Sequence, residues 1–293
     1  MGSVPLRLSL CLSFLFGAPA ATASVTVAAA GDVACAAREP VTADACQMAA
    51  TAELIEKADV DAVFALGDLQ YPAGALEDFA TSYDRTWGAF KAKTYPVPGN
   101  HEYRTPGAAG YFSYFGPSAG SPERGYYSFD LGGWHVVALN SECEAVGGCG
   151  ADSAQGRWLE ADLRAHPARC TLAFWHEARF SSGVHGTHPQ LKGLWERLGA
   201  AGAEVVLNAH DHLYERFAPQ TNDAQRDPRG VRAFVVGTGG GDLYPALLPA
   251  PNREALVTGA FGVLFLTLES GGYRWEYRTV DGAVRDAGRG TCH

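Results

Sequence analysis

Five short clusters of polar side chains carry the residue types that hold cations. They are Asp32, Asp68-Leu69-Gln70-Tyr71, Asn100-His101-Glu102, His176 and His210-Asp211-His212. Together they supply carboxylates, a phenol, an amide oxygen and imidazoles. Hard oxygen donors mixed with borderline nitrogen donors suit Fe, Zn or Mn better than Ca or Mg alone. Singly, each cluster has a plainer reading: Gly-Asp is common in turns, and an Asn can cap a turn. A lone His at a strand end is more often a hydrogen-bonding residue, and a surface loop can carry incidental histidines. All five together, each following an apolar run, point to a shared site.

The elements that must position these residues are legible as apolar runs. Val25–Ala30 reads as a buried strand ending at Gly31-Asp32, and Ala62–Leu66 as another ending at Gly67-Asp68. Thr94–Val97 is a short strand running into Pro98-Gly99-Asn100-His101. Thr171–Trp175 delivers His176, and Glu204–Asn208 delivers Ala209-His210-Asp211-His212. Helices are predicted over Ala45–Lys57, Leu76–Phe90, Gln155–Ala165 and Gln190–Gly199. Tyr126–Asp130 and His135–Asn140 form a hairpin turning at Gly132-Gly133. Beyond residue 212 the chain turns β-rich, with strands at Arg232–Val236, Gly262–Leu268 and Tyr273–Thr279. The polar stretch Thr221–Gly230 reads as a surface loop. Ligands of open α/β sheets bind beyond the carboxyl ends of strands, and that is where these clusters fall.

The chain has 293 residues, 47% of them hydrophobic and 19% charged, which fits a substantial core and excludes broad disorder. Its net charge of −9 lacks the basic footprint of a nucleic-acid binder. An anionic substrate stays open, because bound cations reverse the local field. Arg7, the apolar run Leu8–Phe16 and Ala21-Thr22-Ala23 fit an export signal over residues 1–23, with Ser24 as the mature start. The run is too short for a stable membrane anchor. Cys11 would leave with the signal. The six cysteines that remain read as disulfides of an exported protein, and we expect Cys35–Cys46, Cys143–Cys149 and Cys170–Cys292. The first two are local pairs, and the third ties the C-terminus to the body.

The series Gly31-Asp32, Gly67-Asp68-x-x-Tyr71, Gly99-Asn100-His101-Glu102, His176 and His210-x-His212 resembles the calcineurin-like metallophosphoesterases, and most closely the purple acid phosphatases. The resemblance implies that Asp68 bridges two metal ions. Asp32, Tyr71 and His212 would complete a first site holding Fe(III). Asn100, His176 and His210 would complete a second holding Zn, Fe(II) or Mn. Relatives outside the purple group often carry a metal-binding His two residues after the first Asp, where this chain has Ala34. Tyr71 stands where the purple enzymes place their phenolate. Ala34 and Ala209 occupy positions where Gly is usual in that group, and neither removes a donor.

By the same resemblance, His101 and His185 face the substrate and handle protons, as imidazoles do near neutral pH. Glu102 and Asp211 are expected to orient imidazoles. His188, just before Pro189, is given a structural role, and the run Gly237–Gly241 is given no chemistry. The implied fold class is α/β: a four-layer α/β/β/α sandwich of two mixed sheets flanked by helices, formed as one domain by residues 24–293. Asp32 follows the expected start at Ser24 by eight positions, which matches the small type without an N-terminal β domain. The implied function is a secreted or periplasmic phosphatase that cleaves small phosphate monoesters by attack of a metal-bound hydroxide. A phosphodiesterase or nucleotidase of the same fold is the alternative. A serine hydrolase, which needs a nucleophile elbow, is not expected.

Overall fold

A computed structural model describes residues 1–2 and 24–293; the expected export signal lies outside the described residues. Two mixed sheets are built from thirteen strands. The first contains β1 (Val25–Ala30), β2 (Ala62–Leu66), β3 (Thr94–Val97), and the C-terminal strands β11 (Gly262–Glu269), β12 (Gly272–Thr279) and β13 (Val284–Thr291). Their order is β13-β12-β11-β1-β2-β3, with β1, β2 and β3 parallel. The second contains β4 (Tyr127–Leu131), β5 (Trp134–Ala138), β6 (Thr171–Phe174), β7 (Val205–Asn208), β8 (Tyr214–Phe217), β9 (Arg232–Val236) and β10 (Arg253–Val257). Their order is β10-β8-β9-β7-β6-β5-β4, and β5, β6, β7 and β9 run parallel.

The alternation of side chains along the second sheet explains the layers. Leu172 and Phe174, Val205 and Leu207, and Phe234 and Val236 join the core between the sheets, where Phe174 stacks on Phe64 of β2 at 4.8 Å. Their neighbours Ala173, Val206 and Val235 face outward. There they meet Leu159 of the helix Ala154–Ala165, with Leu194 and Leu198 of a following helix. A period of two along these strands puts apolar atoms on both faces, so both faces must be covered. The helices are α1 (Met48–Ala58), which packs on β11, then α2 (Leu76–Thr81), α3 (Ala109–Phe115), α4 (Ala154–Ala165) and α5 (Lys192–Ala200). Among the described residues no helix is long and apolar enough to cross a membrane.

Two features differ from the sequence-based expectation. The helix expected over Leu76–Phe90 stops at Thr81 and continues as tight turns, Tyr83–Arg85 and Trp87–Lys93. The Ser82 hydroxyl donates to the Cys35 carbonyl at 2.5 Å and the Tyr83 N–H donates to Gln70 Oε1 at 3.1 Å. The loops after β1 and β2 thus bind groups at the point where the helix stops. The strands β8, β10 and β13 are additional, two of them sheet edges. Polar β13 pairs because Gly288 and Gly290 let Trp275 and Tyr273 lie flat across it; a Cβ at either would overlap a ring. The three expected disulfides are all present: Cys35–Cys46, Cys143–Cys149 and Cys170–Cys292.

Candidate metal centre

The carboxyl ends of the parallel strands from both sheets meet at one edge of the sandwich. Asp32 follows β1, Asp68 follows β2, Asn100 follows β3, His176 follows β6, and His210 and His212 follow β7. Short bonds stitch these loops together. Asp32 N–H donates to the Gly67 carbonyl at 3.0 Å, and Ala209 N–H donates to the His176 carbonyl at 2.8 Å. His210 N–H donates to Asp32 Oδ2 at 2.9 Å, which joins the two sheets. Asp32, Asp68 and His210 all have positive φ (58°, 49° and 71°). Left-handed backbone at non-glycine residues is uncommon and persists where the surroundings enforce it. Gly99 is required by contact: an added Cβ would overlap Asp68 Oδ1 and lie 2.7 Å from His176 Cδ2.

The structure brings the seven expected donors together in two sets. In the first, the Tyr71 hydroxyl lies 3.0 Å from Asp32 Oδ1 and 3.0 Å from His212 Nε2, and His212 Nε2 lies 3.2 Å from Asp32 Oδ1. In the second, His176 Nε2 lies 3.3 Å from Asn100 Oδ1 and 3.1 Å from His210 Nδ1. Asp68 faces both: its Oδ2 is 3.4 Å from the Tyr71 hydroxyl and 3.3 Å from His176 Nε2. Ligand atoms of Asp68, His176 and His210 all lie within 4.8 Å of one another.

Outer contacts fix which nitrogen each ring presents. His176 Nδ1–H donates to the Leu66 carbonyl at 2.9 Å, so Nε2 turns inward. His212 Nδ1 is held by Asp242, through its carbonyl at 2.9 Å and its carboxylate at 2.8 Å, again leaving Nε2 inward. Such second partners are what a metal-binding imidazole uses to set its tautomer. Burial and the neighbouring His176 imidazole hold the His210 pKa down to about 2, so that ring is neutral, the form that binds a cation. Burial opposes charge on His212, yet Asp32 and Asp242 outweigh it and raise its pKa to about 10. Burial and the Asp32 and Asp68 carboxylates push the Tyr71 phenol well above its usual value. Burial likewise works against the Asp68 charge, but His176 beside it holds the carboxyl below the usual range. Carboxylates that draw protons onto buried rings attract a cation to the same lone pairs, with the proton released.

His101 and His185 stand at the rim. His101 Nδ1–H donates to the Pro72 carbonyl at 2.7 Å, its Nε2 is 3.9 Å from Asp68 Oδ2, and its ring lies 4.4 Å from the Tyr71 ring. His185 is exposed, with its ring 4.2 Å from that of His210. His188 pairs with Glu177 at 3.1 Å, and its ring lies 5.3 Å from His210.

Two expectations need correction. Glu102 does not orient an imidazole: its buried carboxylate accepts N–H bonds from Asp68, Leu69, Gln70 and Gly99, shaping the loop that carries Asp68. Asp211 touches no imidazole directly; it accepts the backbone N–H groups of His185 and Gly186, so any hold on the His185 ring acts through its backbone. Four N–H groups from two loops converge on Glu102, and a carboxylate, which only accepts, matches them better than an amide.

The sequence reading missed Asp242 and Tyr244. Asp242 clamps His212, and the Tyr244 ring stacks on it at 4.0 Å with planes 6° apart. An acid directly after Gly237–Gly241 was the available signal. The pentad Gly116-Pro117-Ser118-Ala119-Gly120 has the Gly-x-Ser-x-Gly spacing of a nucleophile elbow. It forms a 3-10 turn after α3 instead of joining a strand to a helix, so the elbow geometry is absent there.

Both donor sets fit transition-metal cations by their chemistry: carboxylate, phenol and imidazole in one, carboxylate, amide oxygen and two imidazoles in the other. A two-sheet sandwich with paired cation-type donors at its strand ends defines a class of metal-binding α/β proteins. Residues 25–214 match the calcineurin-like phosphoesterase family, and the chain belongs to it. Purple acid phosphatase 21 of Arabidopsis thaliana is 30% identical over 230 residues, covering 70% of this chain and 47% of that protein. Acid phosphatase type 7 of Mus musculus is 29% identical over 217 residues, covering 61% of this chain and 48% of that one. A purple acid phosphatase from yellow lupin (Lupinus luteus) seeds shares the fold with a TM-score of 0.75 at 20% identity, over 92% of this chain and 54% of the lupin chain. The chain thus spans about half the length of the curated relatives it matches. The family of these purple phosphatases implies two metal ions.

Proposed function

We propose that residues 24–293 act as a secreted or periplasmic phosphatase that hydrolyses small phosphate monoesters at a two-cation site. The observation that carries this is the Asp68 carboxylate, whose Oδ2 lies within 3.4 Å of the Tyr71 hydroxyl and 3.3 Å of His176 Nε2. One carboxylate facing both donor sets is what a shared, bridging ligand requires. Asp32, Tyr71 and His212 complete the first site, suited to Fe(III) by its phenolate and carboxylates. Asn100, His176 and His210 complete the second, suited to Zn, Fe(II) or Mn. When bound, the cations supply Lewis acidity, lowering the pKa of water and neutralising charge on the phosphoryl oxygens.

The protein's own groups supply orientation and protons. His101, fixed at Nδ1 by the Pro72 carbonyl, presents Nε2 to the space beside Asp68 and there donates a hydrogen bond to a phosphoryl oxygen. His185, exposed and with its ring 4.2 Å from that of His210, would protonate the departing alkoxide. Three disulfides support export to an oxidising compartment.

The test compares p-nitrophenyl phosphate with bis(p-nitrophenyl) phosphate, before and after chelation and add-back of Fe with Zn or Mn. We expect the monoester to be cleaved at least roughly tenfold faster, with activity lost on chelation and restored by the metals. A faster diester favours the phosphodiesterase reading. Full activity in verified metal-free protein contradicts the two-cation site.

A further inference from the structure

His185 stands on a segment, residues 181–188, that has no regular secondary structure. Among the described residues no hydrogen bond reaches its imidazole; the ring only approaches those of His210 and Tyr244, at 4.2 and 5.8 Å. Its place over the site is therefore set by its backbone. That backbone is held by one buried carboxylate. Asp211 Oδ1 accepts the N–H of His185 at 2.9 Å. Asp211 Oδ2 accepts the N–H of Gly186 at 3.2 Å and the hydroxyl of Ser181 at 2.5 Å. The Ser181 oxygen in turn accepts the N–H of Gly183 at 3.0 Å. Gly183 lies so close that an added Cβ would overlap the Asp211 carboxyl.

Behind this clamp sits a second acid. Glu215, fully buried on β8, accepts the N–H of Ser182 at 2.9 Å and the Ser182 hydroxyl, and pairs with Arg253 of β10 at 3.1 Å. The root of the segment is thus tied to the sheet. Its tip, with His185, depends on Asp211. Asp211 occupies the position between His210 and His212, yet among the described residues its carboxylate bonds only to residues 181–186.

We infer that Asp211 is the positioning residue that sets His185 over the two-cation site, so that the turn carrying two cation donors also carries the clamp for the proton-handling loop. The inference rests on the reading that His185 contacts substrate. It explains the residue type. The clamp receives three donors, and a carboxylate offers only acceptors. An amide of the same shape must turn its NH2 towards one side of the clamp and lose a bond there. A displacement of about 1 Å in a reacting group can cost on the order of 100-fold in rate.

The experiment is a double-mutant cycle on the metal-loaded full chain, with p-nitrophenyl phosphate as substrate and metal content measured on each variant. His185→Asn and Asp211→Asn should each lower kcat about 10- to 100-fold, with KM changed less than about threefold and both metals retained. The double variant should fall no further than the worse single variant, within about twofold. Gly183→Ala, which pushes the loop away from the clamp, should act in the same direction and also be silent when His185 is already Asn. It stands in if Asp211→Asn does not fold. Losses that multiply in the double variant, or metal released by Asp211→Asn, overturn the inference and assign Asp211 to the cation turn. An unaffected kcat in His185→Asn overturns the role of His185 itself, which the cycle separates from failure of the clamp.

Discussion

The buried donor cluster and the histidine rim are built by different means. Asp32 and His176 are fully buried, and each donor sits within a few residues of a strand end. Their backbones are tied across the two sheets, and their rings are fixed from behind by Leu66 and Asp242. His101 and His185 sit instead on loops, with the His101 side chain 17% accessible and His185 exposed. A cation held for the life of the protein needs donors placed by the core, where ordering was completed on folding. A substrate that enters and leaves on every turnover needs partners that reach water. The division says which substitutions should empty the site and which should only slow it.

The largest expected effect breaks both regions at once. Asp68 faces both donor sets, and its Oδ1 also accepts the N–H of His101 at 2.8 Å. Asp68→Ala should cut turnover by more than about 1,000-fold and lower bound metal below two ions per chain, read by elemental mass spectrometry. Near-normal turnover would remove the shared-ligand assignment. His101→Asn should separate the regions: kcat down about 100-fold in steady-state assays, with metal content unchanged. Loss of metal in that variant would mean that rim and cluster are one unit.

A smaller effect is expected of Tyr71→Phe, which keeps the ring beside His101 and removes only the phenol oxygen. In iron-loaded protein the visible phenolate-to-iron band should vanish, while activity falls by about tenfold or less. A surviving band would exclude Tyr71 as the donor of that colour.

The smallest effect lies away from the cluster. His135 is buried between Asp130 at 3.0 Å and Asp162 at 2.8 Å. Burial opposes its charge, but the two carboxylates outweigh burial and raise its pKa; burial also works against the Asp162 charge, but His135 and the Ser128 hydroxyl outweigh it and hold that carboxyl below its usual value. The raised histidine contributes stability in full below its unfolded value of about 6.5 and loses it as pH rises through the folded value. Asp162 contributes above about 3.9 and loses its share as pH falls. Melting temperature should drop by about 2–4 °C between pH 6 and 8.5, and His135→Gln should flatten that slope without touching metal content. A slope unchanged in the variant would remove His135 as its source.

Much of this was legible in the sequence, for identifiable reasons. Ala62–Leu66, Thr94–Val97 and Arg232–Val236 are strands with the expected bounds, because continuous apolar runs between turn residues have few other uses. The order of the five donor clusters indicated a common site because each follows such a run. The polar edge strand Val284–Thr291 was not legible, since its pairing depends on glycines lying beneath the rings of its neighbour. The tasks of Glu102 and Asp211 were misread for a related reason. Most of their partners are backbone groups 25 to 34 positions away, which leave no mark on residue type. Asp242 and Tyr244 reach His212 across some thirty positions and carry no motif of their own.

The central claim is that seven side chains from two sheets hold a pair of cations about Asp68. Anomalous diffraction from crystals of the metal-loaded protein tests it most directly. The expected map has two peaks, one among Asp32, Tyr71 and His212 and one among Asn100, His176 and His210, with the Asp68 carboxylate touching both. A single peak, or density at another donor group such as His135, Asp162 and His166 instead, would contradict it.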